Sequence, residues 1–484
     1  MTAVAVRTPA ASAPSAGSLV DLSLRLTGAR LAMREGEGLL YLSSVIAFAV
    51  SSALALTVAG GTWMFYQRWT APTGIHAELI AVDPTFETVI SMYFMLALIA
   101  CALLIPAMSG LASGAAMLGA RGRDRRLAVL RLVGLSSADV TRMSLIDTAI
   151  QAVSGIALGT LAYFATLPAW GLLTMQAMTV RPAEMLLPWW GILAVCAATF
   201  VTGMLASAWG LRRVRISPLG VSKRANSPAM RAWRVAFFAV VLVIALVAIQ
   251  TLQINGLVPT LIFAAIMLAV IWAFNLFAAW LLQLLAAGLA RTPNATAMWA
   301  SRRVQADAKA TWRRVSGLGL LALIGAYLAI MPIAFNATDD AASADFALAS
   351  QWDFTKGAII TLGVGFALTA MSIFIAQASS VLERAEQTVA LANMGAPRSF
   401  LTRVMWWETL APLVVAVALG AGLGILLGLP FVTMATRLGM EDAGAGLPLM
   451  GGVLAAGIGL TVAALAACTP LQNRVLASHE RRND

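Results

Sequence analysis

Few residues in this 484-residue chain have the type and setting to do chemistry, and the first to weigh are two carboxylates, Asp147 and Glu408. Each follows an arginine by five residues, Arg142 or Arg403, and each stands near the start of a long apolar run. A carboxylate so placed either carries a proton or substrate or closes a structural ion pair, and the adjacent arginines favour the pair. The other candidates are thinner. His76 and His479 have no clustered partner, so neither a metal site nor a nucleophile is expected. Cys101, Cys196 and Cys468 lie within apolar runs and read as small buried side chains rather than a disulfide framework. ATP hydrolysis needs a phosphate-cradling loop with its lysine, but Lys223, Lys309 and Lys356 follow Ser222, Ala308 and Thr355. Gln250, Asn275 and Gln283 could line a path, although bonds between helices are the default for such residues.

What must position these residues is a set of membrane-length helices. The chain is 60% hydrophobic and only 11% charged, less than half the charge of a typical soluble domain. Apolar runs long enough to cross about 30 Å of hydrocarbon recur ten times. They fall at Leu39 to Phe65, Thr88 to Leu118, Met143 to Leu167, Pro188 to Leu211, Trp233 to Leu252, Leu257 to Leu289, Val315 to Phe335, Ala358 to Val381, Met405 to Val432 and Leu447 to Leu471. Residues 1–18, rich in Ala, Pro and Ser, lack a signal-type apolar core and read as a disordered cytoplasmic tail. Sorted by face with the N-terminus inside, 29 of the 33 basic residues are cytoplasmic against 12 acidic ones, giving +17. The outer face holds 4 basic and 10 acidic residues, or −6, which restores the net +11. The basic balance is thus an orientation signal and not a nucleic-acid surface; anionic lipid or protein is a secondary partner for it. Both termini are expected in the cytoplasm.

The chain repeats itself. Leu130-Arg-Leu-Val-Gly134, Thr141-Arg142 and Asp147-Thr148 return as Leu391-Ala-Asn-Met-Gly395, Thr402-Arg403 and Glu408-Thr409, every pair offset by 261. The duplication predicts an all-α fold of two parallel four-span repeats, 19–226 and 293–484, around a two-span spacer, 227–292. Parallel halves suit a partner that is itself a symmetric dimer.

Within each repeat, the segment after the second span is amphipathic. In the first copy Leu127, Leu130 and Val133 follow helical spacing, Gly134 suits a left-handed helix stop, and Ser136 with Asp139 forms a capping box. In the second, Gly395 is the stop and Pro397 suits a first helical position. On its residues alone such a segment could be a basic loop whose apolar side rests on lipid headgroups, a reading that its duplication weakens. The copies differ in charge: residues 121–131 carry +4 and 382–392 carry −1. The second span is long, and Pro106 within it, flanked by Ser109, Gly110, Ser113 and Gly114, marks a kink or hinge. Gly155 and Gly159, with Gly420, Gly424 and Gly428, have the small-xxx-small spacing of close helix contacts.

The arginine-rich stretch, the apolar helix ending at Gly134, the polar corner and the exit Trp209-Gly-Leu-Arg-Arg-Val-Arg-Ile-Ser-Pro-Leu219 together resemble the FtsX-like permease domain of ABC transporters, the MacB-type group. The resemblance covers both repeats, about 400 residues, and the ten-span arrangement is similar to permeases of the BceB type. The second copy departs, with Ala392 and Asn393 for Arg131 and Leu132 and no Ile-Ser-Pro-Leu exit. The resemblance implies a bacterial plasma-membrane permease, not itself an enzyme, bound to two copies of a cytoplasmic ATPase that holds the ATP and Mg. The docking residues would be Leu127, Leu130, Arg131, Val133, Gly134 and Asp139, with Val389, Leu391, Met394 and Gly395. The large extracellular domain of MacB and BceB is missing, since the outer loops total about 79 residues. A membrane-partitioned amphipathic substrate, such as a peptide antibiotic, drug or lipid, then fits better than periplasmic cargo. The rival expectation is a signalling module whose acidic outer loops, 67–87 and 338–357, grip a cell-wall enzyme or sensor kinase. A secondary transporter would need paired midplane charges, which the sequence does not offer.

Overall fold

The computed structural model describes residues 37–84, 86–121, 137–215, 233–251, 257–330, 346, 352–383, 385–437 and 447–483. The segment expected to dock in the first copy, with Leu127, Leu130, Arg131, Val133 and Gly134, lies outside them.

The described chain is helical apart from one two-residue hairpin. In order it forms α1 (Glu37–Thr70), α2 (Ile75–Val82), α3 (Phe86–Arg121), α4 (Ser137–Thr166), a 3-10 turn (Leu167–Leu172), β1 (Thr174–Met175), β2 (Met178–Thr179), α5 (Pro182–Met185) and α6 (Trp189–Arg215). Then come α7 (Trp233–Thr251), α8 (Leu257–Leu289), α9 (Ala295–Ala306), α10 (Ala308–Ile330), α11 (Asp353–Glu383), α12 (Ala385–Asn393), α13 (Arg398–Arg437) and α14 (Leu447–Asn483). Each of the ten apolar runs overlaps one long helix. Among the described residues, seven stretches are long and apolar enough to cross a membrane: Tyr41–Thr70, Thr141–Leu172, Trp189–Trp209, Leu268–Leu289, Thr355–Ala378, Arg398–Pro430 and Met450–Pro470. Phe86–Leu98 and Trp233–Ile249 are shorter apolar stretches. With apolar side chains on all sides, these helices bury one face against each other and leave residues such as Leu193, Leu205, Val243 and Leu268 exposed.

Two helix pairs are packed most closely. A Cβ at Gly155 or Gly159 of α4 would run into the backbone of α1 at Val45 or Ala49. A Cβ at Gly420 or Gly424 of α13 would run into the backbone of α10 at Gly319 or Leu323. Both halves thus contain the same approach, in which small residues let two backbones come together. The halves meet along α3 and α11. Leu104, Leu111, Ala112 and Ala115 of the former share one buried cluster with Val364, Leu368 and Ile375 of the latter. Pro106 lies within α3, which continues as helix from Phe86 to Arg121, a length of about 54 Å at 1.5 Å per residue.

The spacer helices α7 and α8 pack on the second half. Ala245, Val270, Phe274 and Leu282 join Trp312, Val315 and Leu318 of α10 in the largest core cluster. There the Trp312 indole N–H donates to Asn275 Oδ1 at 2.9 Å, so Asn275 serves as a bond between helices.

Candidate functional site

The segment expected to dock in the second copy forms a built corner. Helix α12 follows α11 after residue 384 and ends at Gly395, whose φ of +91° is left-handed backbone that suits glycine. The Ala396 N–H donates to the Leu391 carbonyl at 3.0 Å and the Gly395 N–H to the Ala392 carbonyl at 2.9 Å, the paired bonds of a Schellman stop. The next helix starts one residue later than the sequence suggests. Pro397 stands before α13 rather than at its first position, and its carbonyl accepts from Phe400 N at 2.9 Å and Leu401 N at 3.3 Å. Val389 and Leu391 are half-buried, whereas Met394 is 75% exposed at the tip. The corner therefore offers apolar side chains on a short, fixed helix.

Behind it lies a cleft lined by Trp299 and Arg303 of α9, Gln377 and Ser380 of α11, Thr388 of α12, and Phe400, Leu401, Met405 and Glu408 of α13. Glu408 is buried, and its Oε2 lies 3.3 Å from Arg303 Nη1. The pairing with Arg403 expected from the sequence does not form: Arg403 is exposed one and a half turns earlier on α13, and the facing arginine comes from α9. That helix is not among the elements expected from the sequence. Its signal was local: Asn294 caps it through bonds from Thr296 N and Ala297 N, and Ala297, Ala300 and Val304 form its buried stripe. Arg303 also stacks over the Trp299 ring at 6.0 Å. Next to Glu408, Thr409 Oγ1 donates to Gln377 Oε1 at 3.4 Å.

The first copy differs in detail. Asp147 is buried in α4 beside Thr148, whose hydroxyl is 3.0 Å from that of Ser207 on α6. Ser144 Oγ and Gln151 Oε1, one turn to either side, are buried without a hydrogen-bond partner. The expected Arg142 partner again points elsewhere, 67% exposed and 3.8 Å from Asp139 in the first turn of α4. An exposed pair of that length contributes little. The shared feature of the two copies is thus a buried carboxylate with a threonine next to it, and the arginines on their own helices are bystanders.

The far end of the molecule holds a second polar knot. The β1–β2 hairpin turns through Gln176 and Ala177, both left-handed at φ 56° and 60°, as a two-residue turn of the I′ kind requires. Without glycine, each such residue costs about 1–3 kcal/mol. Gln176 is fully buried, and its side-chain Oε1 and Nε2 have no partner. Arg68 of α1 bonds Glu184 of α5 at 2.7 Å and the carbonyls of Met175 at 2.7 Å and Thr179 at 3.3 Å. His76 of α2 lies 2.8 Å from the Gln176 carbonyl through Nε2, and the first turn of α11 contributes Asp353 and Lys356. Burial, helped by the nearby Arg68, holds the His76 pKa below its usual range against the opposing carbonyl bond and Glu184. Nothing in the sequence marked this knot, because Met175-Gln-Ala-Met178 lacks the Asn-Gly signature of such a turn.

A many-helix membrane protein with two like units, each carrying a close glycine approach and a buried carboxylate, is the class this architecture defines. The family model for the FtsX-like permease C-terminal domain matches the chain twice, over residues 113–219 and 359–475. The chain thus carries two stretches similar to the FtsX-like permease C-terminal domain, and with its apolar helices this points to a multi-pass membrane protein of permease type. The corner at α12 and both carboxylates fall within the matched residues. No curated protein and no solved structure matches the chain.

Proposed function

We propose that this chain is the permease subunit of a bacterial plasma-membrane ABC transporter that exports or extracts a membrane-partitioned amphipathic substrate. Two copies of a separate cytoplasmic ATPase, which bind ATP and Mg, dock at residues 127–139 and 388–400. FtsX-like permeases generally work with such an ATPase. The observation that carries the reading is the α12 corner, where Val389, Leu391 and Met394 stand on a helix locked by the Gly395 stop at the end of a 31-residue helix. A rigid lever of about 46 Å joined to a fixed apolar knob can pass motion from a bound partner to the interface between the halves. The amphipathic substrate class is supported by that interface itself. Leu104, Leu111, Val364 and Leu368 line it, so a polar solute would lose its water there without replacement, whereas an apolar moiety would not.

The docking surfaces differ in charge between copies, so binding of two identical ATPases rests on the shared apolar face. Leu391→Asp is expected to lower ATPase binding at least tenfold in a pull-down from detergent, with Arg123→Ala changing it less than threefold. The reverse ranking defeats the docking assignment. Export predicts that an amphipathic peptide antibiotic stimulates ATP hydrolysis by the purified complex in nanodiscs. If no such compound does so and deletion leaves resistance unchanged, the substrate class is wrong.

A further inference from the structure

The transport reading gives no task to the hairpin at residues 174–179, yet its backbone is held by specific side-chain contacts. The backbone of the β1–β2 hairpin is gripped by four side chains, two from each half. From the first half, Arg68 takes the Met175 and Thr179 carbonyls, and His76 Nε2 takes the Gln176 carbonyl. From the second, Asp353 Oδ2 accepts the Gln176 N–H, and Lys356 Nζ donates to the Thr174 carbonyl at 2.8 Å while pairing with Asp353 at 3.0 Å. Phe346 closes the side, 6.2 Å from the His76 ring and 4.7 Å from Phe86. We propose that this hairpin is a clasp between the two halves, released when His76 takes up a proton.

Three observations point to a contact built to open. The turn is held in left-handed backbone at two residues that are not glycine, which relax once the hairpin leaves its clamps. The Gln176 amide is buried without a partner and gains water on release. His76 is 1% exposed, and its bond to a carbonyl is fully served by the neutral ring with hydrogen on Nε2. A second proton would bury a positive charge beside Arg68. Among the described residues, the charged groups around it include Glu184 of α5, already taken by Arg68, and Asp353 and Lys356 of α11, which pair with each other on the far side of the turn. Glu78 of its own helix is exposed. The sign follows: a histidine kept neutral by the closed form supports closure fully above its ordinary range near 6.5 and withdraws that support as pH falls below it.

The test needs no ATPase, so it stands or falls apart from the transport reading. In full-length protein with Cys101, Cys196 and Cys468 replaced by serine, spin labels go on Leu172→Cys and Trp352→Cys. These are exposed positions, 88% and 60%, on the two halves beside the clasp. Pulsed electron–electron resonance in nanodiscs is expected to give one short distance near pH 7.5. Near pH 5 a longer one should appear, its population raised about threefold or more. His76→Gln, which keeps a donor for the carbonyl, should hold the short distance at both pH values, and Asp353→Asn should show the longer one at both. An acid change that persists in His76→Gln overturns the histidine assignment. Identical distances in the parent at both pH values, or no effect of Asp353→Asn, overturn the clasp.

Discussion

Gly395 shows how much one residue fixes in this molecule. Its left-handed backbone lets α12 stop and α13 begin within five residues, so the apolar knob stands at a set angle to the lever. Gly395→Ala should cost about 1–2 kcal/mol at that position and impair ATPase coupling more than it impairs folding, read as lost ATPase stimulation with retained monodispersity. The carboxylates lead to a sharper contrast. Glu408→Ala removes the carboxylate that faces Arg303 in the cleft and is expected to lower stability by about 2 kcal/mol in a thermal-shift assay, discounted for the partial exposure of Arg303. Arg142→Ala, removing an exposed pair, should stay within about 0.5 kcal/mol. At this scale the repeat offset located Asp147 and Glu408, but the partner was not legible. Arg303 lies 105 residues from Glu408, and only the fold brings α9 against α13.

Among elements, the long helices were the most legible, because a membrane-spanning helix writes its length and composition directly into the sequence. The small elements were the least. The hairpin has no turn signature, since its conformation is imposed by Arg68, His76, Asp353 and Lys356 from outside the turn. Helix α9 did carry a cap and a stripe, yet at twelve residues it was overshadowed by its apolar neighbours. The glycine contacts belong to this scale. Gly420→Val puts a side chain where the Gly319 carbonyl stands, and α10 and α13 would have to separate along their length. Gly422→Val, on the same helix with open space around its Cβ position, is the control. The first should abolish monodisperse protein after detergent extraction and the second should leave the yield unchanged.

For the whole molecule, the duplication and the apolar seam between α3 and α11 set two like halves side by side, whereas the spacer helices pack on one of them alone. Its attachment to the second half is specific: Trp312→Phe, which keeps the ring but drops the bond to Asn275, should lower stability by about 1 kcal/mol in lipid. The sequence separated the spacer from the repeats but could not say which repeat it joins, because apolar faces are interchangeable until one hydrogen bond and one aromatic contact, Phe274 on Trp312, choose between them. That choice has a mechanical outcome. Among the described residues the second body carries six long helices, α7, α8, α10, α11, α13 and α14, and the first carries four, α1, α3, α4 and α6, with Leu42 and Ile46 of α1 exposed. If two identical ATPases dock as proposed, equal torques would turn the lighter body further, and a symmetric motor would yield a one-sided stroke.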